Sequence, residues 1–292
     1  MTALRAAEAL VRSEPESTAH HKDVYVACHG LASLALATGD VRAAEKHYRR
    51  ALAAAEAMVL ADPAEPAFML DLSAACGWLG DLKLSAGKLG EAEEFHRRAL
   101  ALDEELAQAQ PANAAFRQAV FVSSLQVGHV ARAAGRLDRA EEQYRQALGV
   151  AEDLIRAEPD VPVYRRGLGV AYGALAGVAL DRGDTDEARR LHGQALEVDE
   201  ALASAEPANL VFQHDLFLGY ARLGELALIA GDDAEADRLY ARADEIIAAL
   251  RRVDPANPSY RLDARALADR VAAAPRSRLA PLTGLMRRRR SG

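Results

Sequence analysis

Cysteine is close to absent from this chain: Cys28 and Cys76 are the only two among 292 residues. Two thiols do not build a disulfide framework, so a reducing cytoplasm is the expected compartment. Aromatic residues make up only 5%. Ala, Leu, Glu and Arg dominate instead, a composition that favours helix. No uninterrupted apolar run approaches the roughly 20 residues that cross a bilayer. The opening stretch MTALRAAEALVRSEP is amphipathic and charged, unlike a secretory signal. Also missing are a glycine-rich phosphate loop, a G-x-S-x-G elbow and a clustered Ser/His/Asp set. No enzyme activity and no cofactor are therefore expected.

Charge is unevenly spread. The chain sums to −7, yet residues 275–292 hold six arginines and no acid, which leaves −13 on the preceding body. An acidic body does not suit nucleic acid, so no specific nucleic-acid partner is expected. The eight histidines include no pair at the i, i+3 or i, i+4 spacing of a helical metal site, and no metal is expected.

What the chain does have is a period. Pro15, Pro63, Pro111, Pro159, Pro207 and Pro255 stand 48 residues apart, and Gly39, Gly87, Gly135, Gly183 and Gly231 keep the same step. Self-similarity on this scale marks a solenoid, whose units bury their apolar faces only by stacking. Two residues after each proline comes a helix-start position, held by Ser17, Glu65, Asn113, Val161, Asn209 and Asn257. Pro66, Pro162 and Pro258 follow as first helical residues. A first helix of about 20 residues then runs to the glycine, which can adopt the left-handed conformation that closes it. Asp40, Asp184 and Asp232 can cap the second helix, which runs on to the next proline.

Packing positions recur in phase. Ala44, Ala92, Ala140, Ala188 and Ala236 follow the glycines by five residues, and a second alanine follows by seven more. Leu79-Gly80, Val127-Gly128 and Leu223-Gly224 add small residues to the first helix. Rings at Phe68, Phe116, Tyr164, Phe212 and Tyr260 mark its start. His96 and His192 share a register with Tyr48, Tyr144 and Tyr240, which reads as packing rather than chemistry. Cys28 and Cys76 share one with Ser124, Tyr172 and Tyr220, which reads as buried thiols.

Leu223-Gly224, Gly231, Ala236, Tyr240, Ala243 and Pro255, taken in order, resemble the tetratricopeptide repeat. The family unit is roughly 34 residues. The longer one here inserts seven residues in each helix, nearly two turns, so the apolar faces stay in phase. Extended arrays of this kind resemble those of bacterial multi-repeat proteins. The resemblance implies an all-α, right-handed solenoid of antiparallel helix pairs. Its expected organisation is a half-repeat helix over 1–15, then five repeats over 16–63, 64–111, 112–159, 160–207 and 208–255. A capping helix over 256–274 and a basic, disordered tail over 275–292 complete it. The half-repeat is either a cap or the end of a longer upstream piece, and its face could join two copies as a homodimer.

The resemblance also implies that the first helices line a concave groove. On this chain that track holds Lys22, His29, Asp81, Gln118, His129, Arg132, Arg166, His214 and Glu225, which vary while the packing positions stay nearly fixed. Lys22, Arg166 and His214 share one register and, with Arg132, could clamp carboxylates. The implied function is a noncatalytic scaffold or adaptor that binds a peptide or protein segment. The alternatives are a solenoid that senses a ligand or peptide and, third, an atypical enzyme. Arg287, Arg288, Arg289 and Arg290 in the tail could make a weak contact with an anionic surface.

Overall fold

The computed structural model describes residues 2–273. Among them are twelve helices and no strand. After α1 (Thr2–Ser13) come five antiparallel pairs: α2 (Thr18–Ala37) with α3 (Val41–Ala61), α4 (Pro66–Ser85) with α5 (Leu89–Ala109), α6 (Ala114–Ala133) with α7 (Leu137–Ala157), α8 (Pro162–Asp181) with α9 (Thr185–Ala205), and α10 (Leu210–Ile229) with α11 (Asp233–Val253). α12 (Pro258–Ala273) follows. First helices begin at residues 18, 66, 114, 162, 210 and 258, a constant step of 48. The chain divides between Val198 and Asp199 into two compact units, called unit 1 and unit 2 below.

The helix ends follow from a few residues. Every pair turns on its glycine, with φ between +71° at Gly87 and +80° at Gly183. The backbone closes the first helix in a Schellman motif: Gly87 N–H donates to Leu84 O and Lys88 N–H to Lys83 O. A side chain with a Cβ would be strained there, so the glycine ladder fixes five identical elbows. Asp40, Asp184 and Asp232 then accept from backbone N–H groups three residues on. Lys88 and Arg136 take the same place without a side-chain cap. At the starts of first helices, Glu65 and Asn113 accept from the N–H two residues on and Asn209 from those two and three on, whereas Ser17 makes no side-chain cap.

Inside three of the pairs the second helix presses a ring onto the bare backbone of the first, where the other two carry Ala32 and Ala176. A Cβ on Gly80 would lie 2.5 Å from the His96 ring, on Gly128 2.4 Å from Tyr144, and on Gly224 2.6 Å from Tyr240. These rings are buried, His96 at 1% exposure and Tyr144 at 0%. The alanines five residues past each glycine are fully buried. Phe116, Phe212 and Tyr260 are buried too, while Phe68 and Tyr164 are half-buried. Cys28 and Cys76 are free and buried, and burial pushes both thiols up to about 11.

Two buried groups in unit 1 break the apolar pattern. Lys83 stands where other pairs have Ala35, Ala131, Ala179 and Ala227. Its ammonium reaches Glu45 and Glu91, 2.8 Å from each, and both carboxylates hold its pKa up. Asp103 on α5 stands where Ala55, Ala151 and Ile247 occur, and burial raises its pKa. Ser73 and Ser123 offset part of that, yet each also turns its hydroxyl to a backbone carbonyl. Asp103 Oδ1 and the Ser124 hydroxyl are buried without a hydrogen-bond partner.

Candidate functional site

A helix shows one face at i and i+7, so each first helix of unit 1 offers a short strip to its neighbours. On α4 the strip holds Ala74 and Asp81, on α6 Val122 and His129, and on α8 Val170 and Gly177. Val26 takes the same register on α2. Three of these aliphatic side chains face solvent: Val26 at 56% exposure, Val122 at 47% and Val170 at 37%. Leu218, on α10 in unit 2, keeps the register and the exposure.

Beyond the aliphatic row lie charged groups tied from one first helix to the next. Arg132 on α6 makes a two-pronged bond to Asp181 on α8, with Nε 2.6 Å from Oδ2 and Nη2 3.1 Å from Oδ1. The bond raises the arginine pKa and lowers the aspartate's. Its guanidinium lies over Gly177, where a Cβ would stand 2.5 Å from Nη1. Lys22 on α2 bonds Asp71 on α4. In unit 2, His214 Nε2 is 2.8 Å from Asp263 on α12. Glu225 meets Arg222 at 3.2 Å and Arg270 at 2.6 Å. The residues read from sequence as a carboxylate clamp thus have carboxylates of the chain itself against Lys22, Arg132 and His214. Such pairs, at about a third exposed, contribute roughly 0–1 kcal/mol each.

Asp81 is different. No Lys or Arg stands against it among the described residues. Its neighbour is His96 Nε2 at 3.5 Å, on a ring that burial holds neutral with a pKa of about 4. That nitrogen has no hydrogen-bond partner, and neither has the buried Tyr144 hydroxyl, whose pKa burial pushes up to about 12. His129 sets its ring edge-on to Tyr144 at 5.5 Å, and burial with Arg132 nearby lowers its pKa. Asp81 therefore sits on α4 and His129 and Arg132 on α6, with Arg132 reaching across to α8. His29 lies apart on α2, stacked at 4.0 Å on Trp78, the only tryptophan. Gln118 and Arg166 are half-buried near the starts of α6 and α8. Arg287–Arg290 lie outside the described residues. The exposed valine row was not singled out from sequence; a fixed register carrying Val, Ala, Val, Val and Leu was the available signal.

Unit 1 also has a hollow of about 200 Å³ between α7, α8 and α9, bordered by Arg145, Tyr172, Arg182, Arg190 and Leu191. Its arginines are already satisfied: Arg182 by Glu141 and Asp138, Arg145 by Glu141, and Arg190 by Glu187. No group of three or more potential metal ligands occurs among the described residues, and no helix there is long and apolar enough to cross a membrane.

Comparison with known proteins agrees with this architecture. Residues 27–58 and 123–154 each match a tetratricopeptide repeat model. The first segment spans the turn of α2 and α3, the second that of α6 and α7, in the same register two periods on. No curated protein matches the chain in sequence. Among solved structures, BtubC (BKLC) from P. vanneervenii is similar at 22% identity and a TM-score of 0.62, over 86% of this chain and 89% of that one. The nearly identical TPR-like repeats of a putative kinesin light chain from Podosopora anserina align at 19% identity and 0.51, over 77% and 96%. RapI in its apo form aligns at 11% and 0.57, over 85% and 83%. Identities this low speak for the fold alone. Two segments of the chain thus match the tetratricopeptide repeat in register, and the same helix pair is built between and beyond them.

Proposed function

We propose that this chain is a noncatalytic interaction scaffold of the cytoplasm, and that the joined strips of α2, α4, α6 and α8 receive a segment of a protein partner. One observation carries the reading: Val26, Val122 and Val170 stand exposed at a single register, beside polar positions that change from pair to pair. An aliphatic row gives apolar contact, and the changing neighbours give selectivity. The hollow beside Tyr172 favours a sensor of small ligands less, because its arginines already have carboxylate partners.

The test is recovery of a partner from source lysate by the full chain and by a Val122→Glu, Val170→Glu double variant. Both side chains are exposed, so helix content by circular dichroism should not change. Recovery of the specific partner should fall at least about tenfold, since two buried charges would oppose the contact. Leu60→Glu, at an 84% exposed position on α3, should leave recovery intact. Equal recovery by the double variant and the unaltered chain would remove the face from consideration.

A further inference from the structure

We infer that Asp81, on the strip of α4, is the seat of an arginine side chain carried by the protein partner. This rests on the reading of that face as a docking surface and names the chemistry it selects. The first argument is charge. Asp71 is met by Lys22 and Asp181 by Arg132, whereas Asp81 is exposed and has no Lys or Arg against it among the described residues. It faces His96 Nε2 at 3.5 Å instead, on a buried ring that is held neutral. That nitrogen has no hydrogen-bond partner. Burial also raises the pKa of Asp81, a cost that a cation on the carboxylate would lift.

The second argument comes from the same register in unit 2. Glu225 stands three periods of 48 residues after Asp81. There the acid lies between two guanidinium groups, Arg222 one turn before it on α10 at 3.2 Å and Arg270 on α12 at 2.6 Å. Around Asp81 the repeat-equivalent places of those arginines, on α4 and α6, are held by Trp78 and Gln126. Both are uncharged and half-buried. The register keeps its acid and lacks its cations, so a guanidinium that serves Asp81 comes from another molecule. An arginine suits the place better than a lysine. Its planar fork meets both carboxylate oxygens, and its face can lie against the ring of Trp78. In the tautomer with its proton on Nδ1, His96 Nε2 can accept a further N–H. Ala74 on α4 and Val122 on α6 offer the aliphatic neighbours of that arginine a surface.

Trp78 lies three residues before Asp81 on α4 and is the only tryptophan, so its emission reports on the seat. The probe is a blocked peptide, acetyl-Ala-Leu-Arg-Leu-Ala-amide, titrated into the full chain. Its control carries citrulline, which keeps the shape of arginine without the charge. The expected result is a saturable change in Trp78 emission with the arginine peptide, and binding at least about tenfold weaker with the citrulline peptide. Asp81→Asn should weaken the arginine peptide by a similar factor. So should Gln126→Arg, which supplies from α6 the guanidinium that Arg270 supplies from α12 in unit 2, with helix content by circular dichroism unchanged. Equal binding of the two peptides overturns the inference. Binding indifferent to both Asp81→Asn and Gln126→Arg does the same, as does no emission change together with no heat by calorimetry. If the peptide fails in one of these ways while Val122→Glu, Val170→Glu still loses the lysate partner, the arginine seat alone falls and the docking face stands.

Discussion

Replacing Asp103 with asparagine should stabilise the protein at neutral pH by about 1–3 kcal/mol, the usual cost of a buried polar group left short of partners. The aspartate is 3% exposed, has no salt-bridge partner among the described residues, and leaves Oδ1 unbonded. Burial comes first in raising its pKa, and the hydroxyls of Ser73 and Ser123 only partly oppose it. An amide keeps the volume, removes the charge and can both accept from and donate to the serine hydroxyls. The pH dependence has a definite sign. An unfolded aspartate ionises near 3.9, and the folded one ionises at a higher pH. Wild-type stability from this group is therefore fully present below the unfolded pKa and is lost as pH rises through the folded one. The advantage of Asp103→Asn should accordingly open across that window and vanish below it. Urea unfolding at pH 3.5 and pH 7.5 measures the gap at both ends. An equal gap at the two, or none at pH 7.5, would show that Asp103 is not a destabilising charge.

Placing valine at Gly128 should have an effect of similar size and opposite direction. Its Cβ would stand 2.4 Å from the ring of Tyr144, a side chain with no exposure. The ring sits between α6 and its own helix, with His129 at its edge, and has nowhere to move. Overpacking of this kind costs about 1–3 kcal/mol. A gain of a few tenths from removing glycine from a helix offsets little of it. Gly173 on α8 provides the contrast, since a Cβ there meets nothing within 4 Å. Gly173→Ala should raise stability by about 0.5–1 kcal/mol through the unfolded chain. Thermal unfolding of the two variants should move in opposite directions. A common direction would show that the ring has room to yield and that Gly128 is not its seat.

Much of the fold was legible because backbone requirements repeat without exception. The five turn glycines adopt the left-handed conformation their ladder suggested, and Asp40, Asp184 and Asp232 cap the helices they precede. Buried histidine at position 96 and the buried thiols were likewise readable, because each shares a register with other packing residues. Charge pairing was not readable at the repeat period. Lys22 finds Asp71, Arg132 finds Asp181 and His214 finds Asp263, each 49 residues on rather than 48. The extra residue places the acid on the flank that turns toward the preceding first helix, an offset set by packing. Asp103 and Lys83 were invisible for another reason. Each occupies a position that is small or apolar in most of the other pairs, and only its neighbours decide how a charge is housed there.

The ring pressed on a bare backbone has a mechanical consequence. In α4 with α5, α6 with α7, and α10 with α11, the helices are held apart by the thickness of one flat ring rather than by interlaced flexible chains. A ring cannot be thinned and a backbone without a Cβ cannot be pushed deeper, so each such pair behaves as a stiff slat. Yielding within a unit then falls to the seams between slats, where long arms such as Arg136 to Glu93 and Arg98 to Glu56 act as straps that can stretch and re-grip.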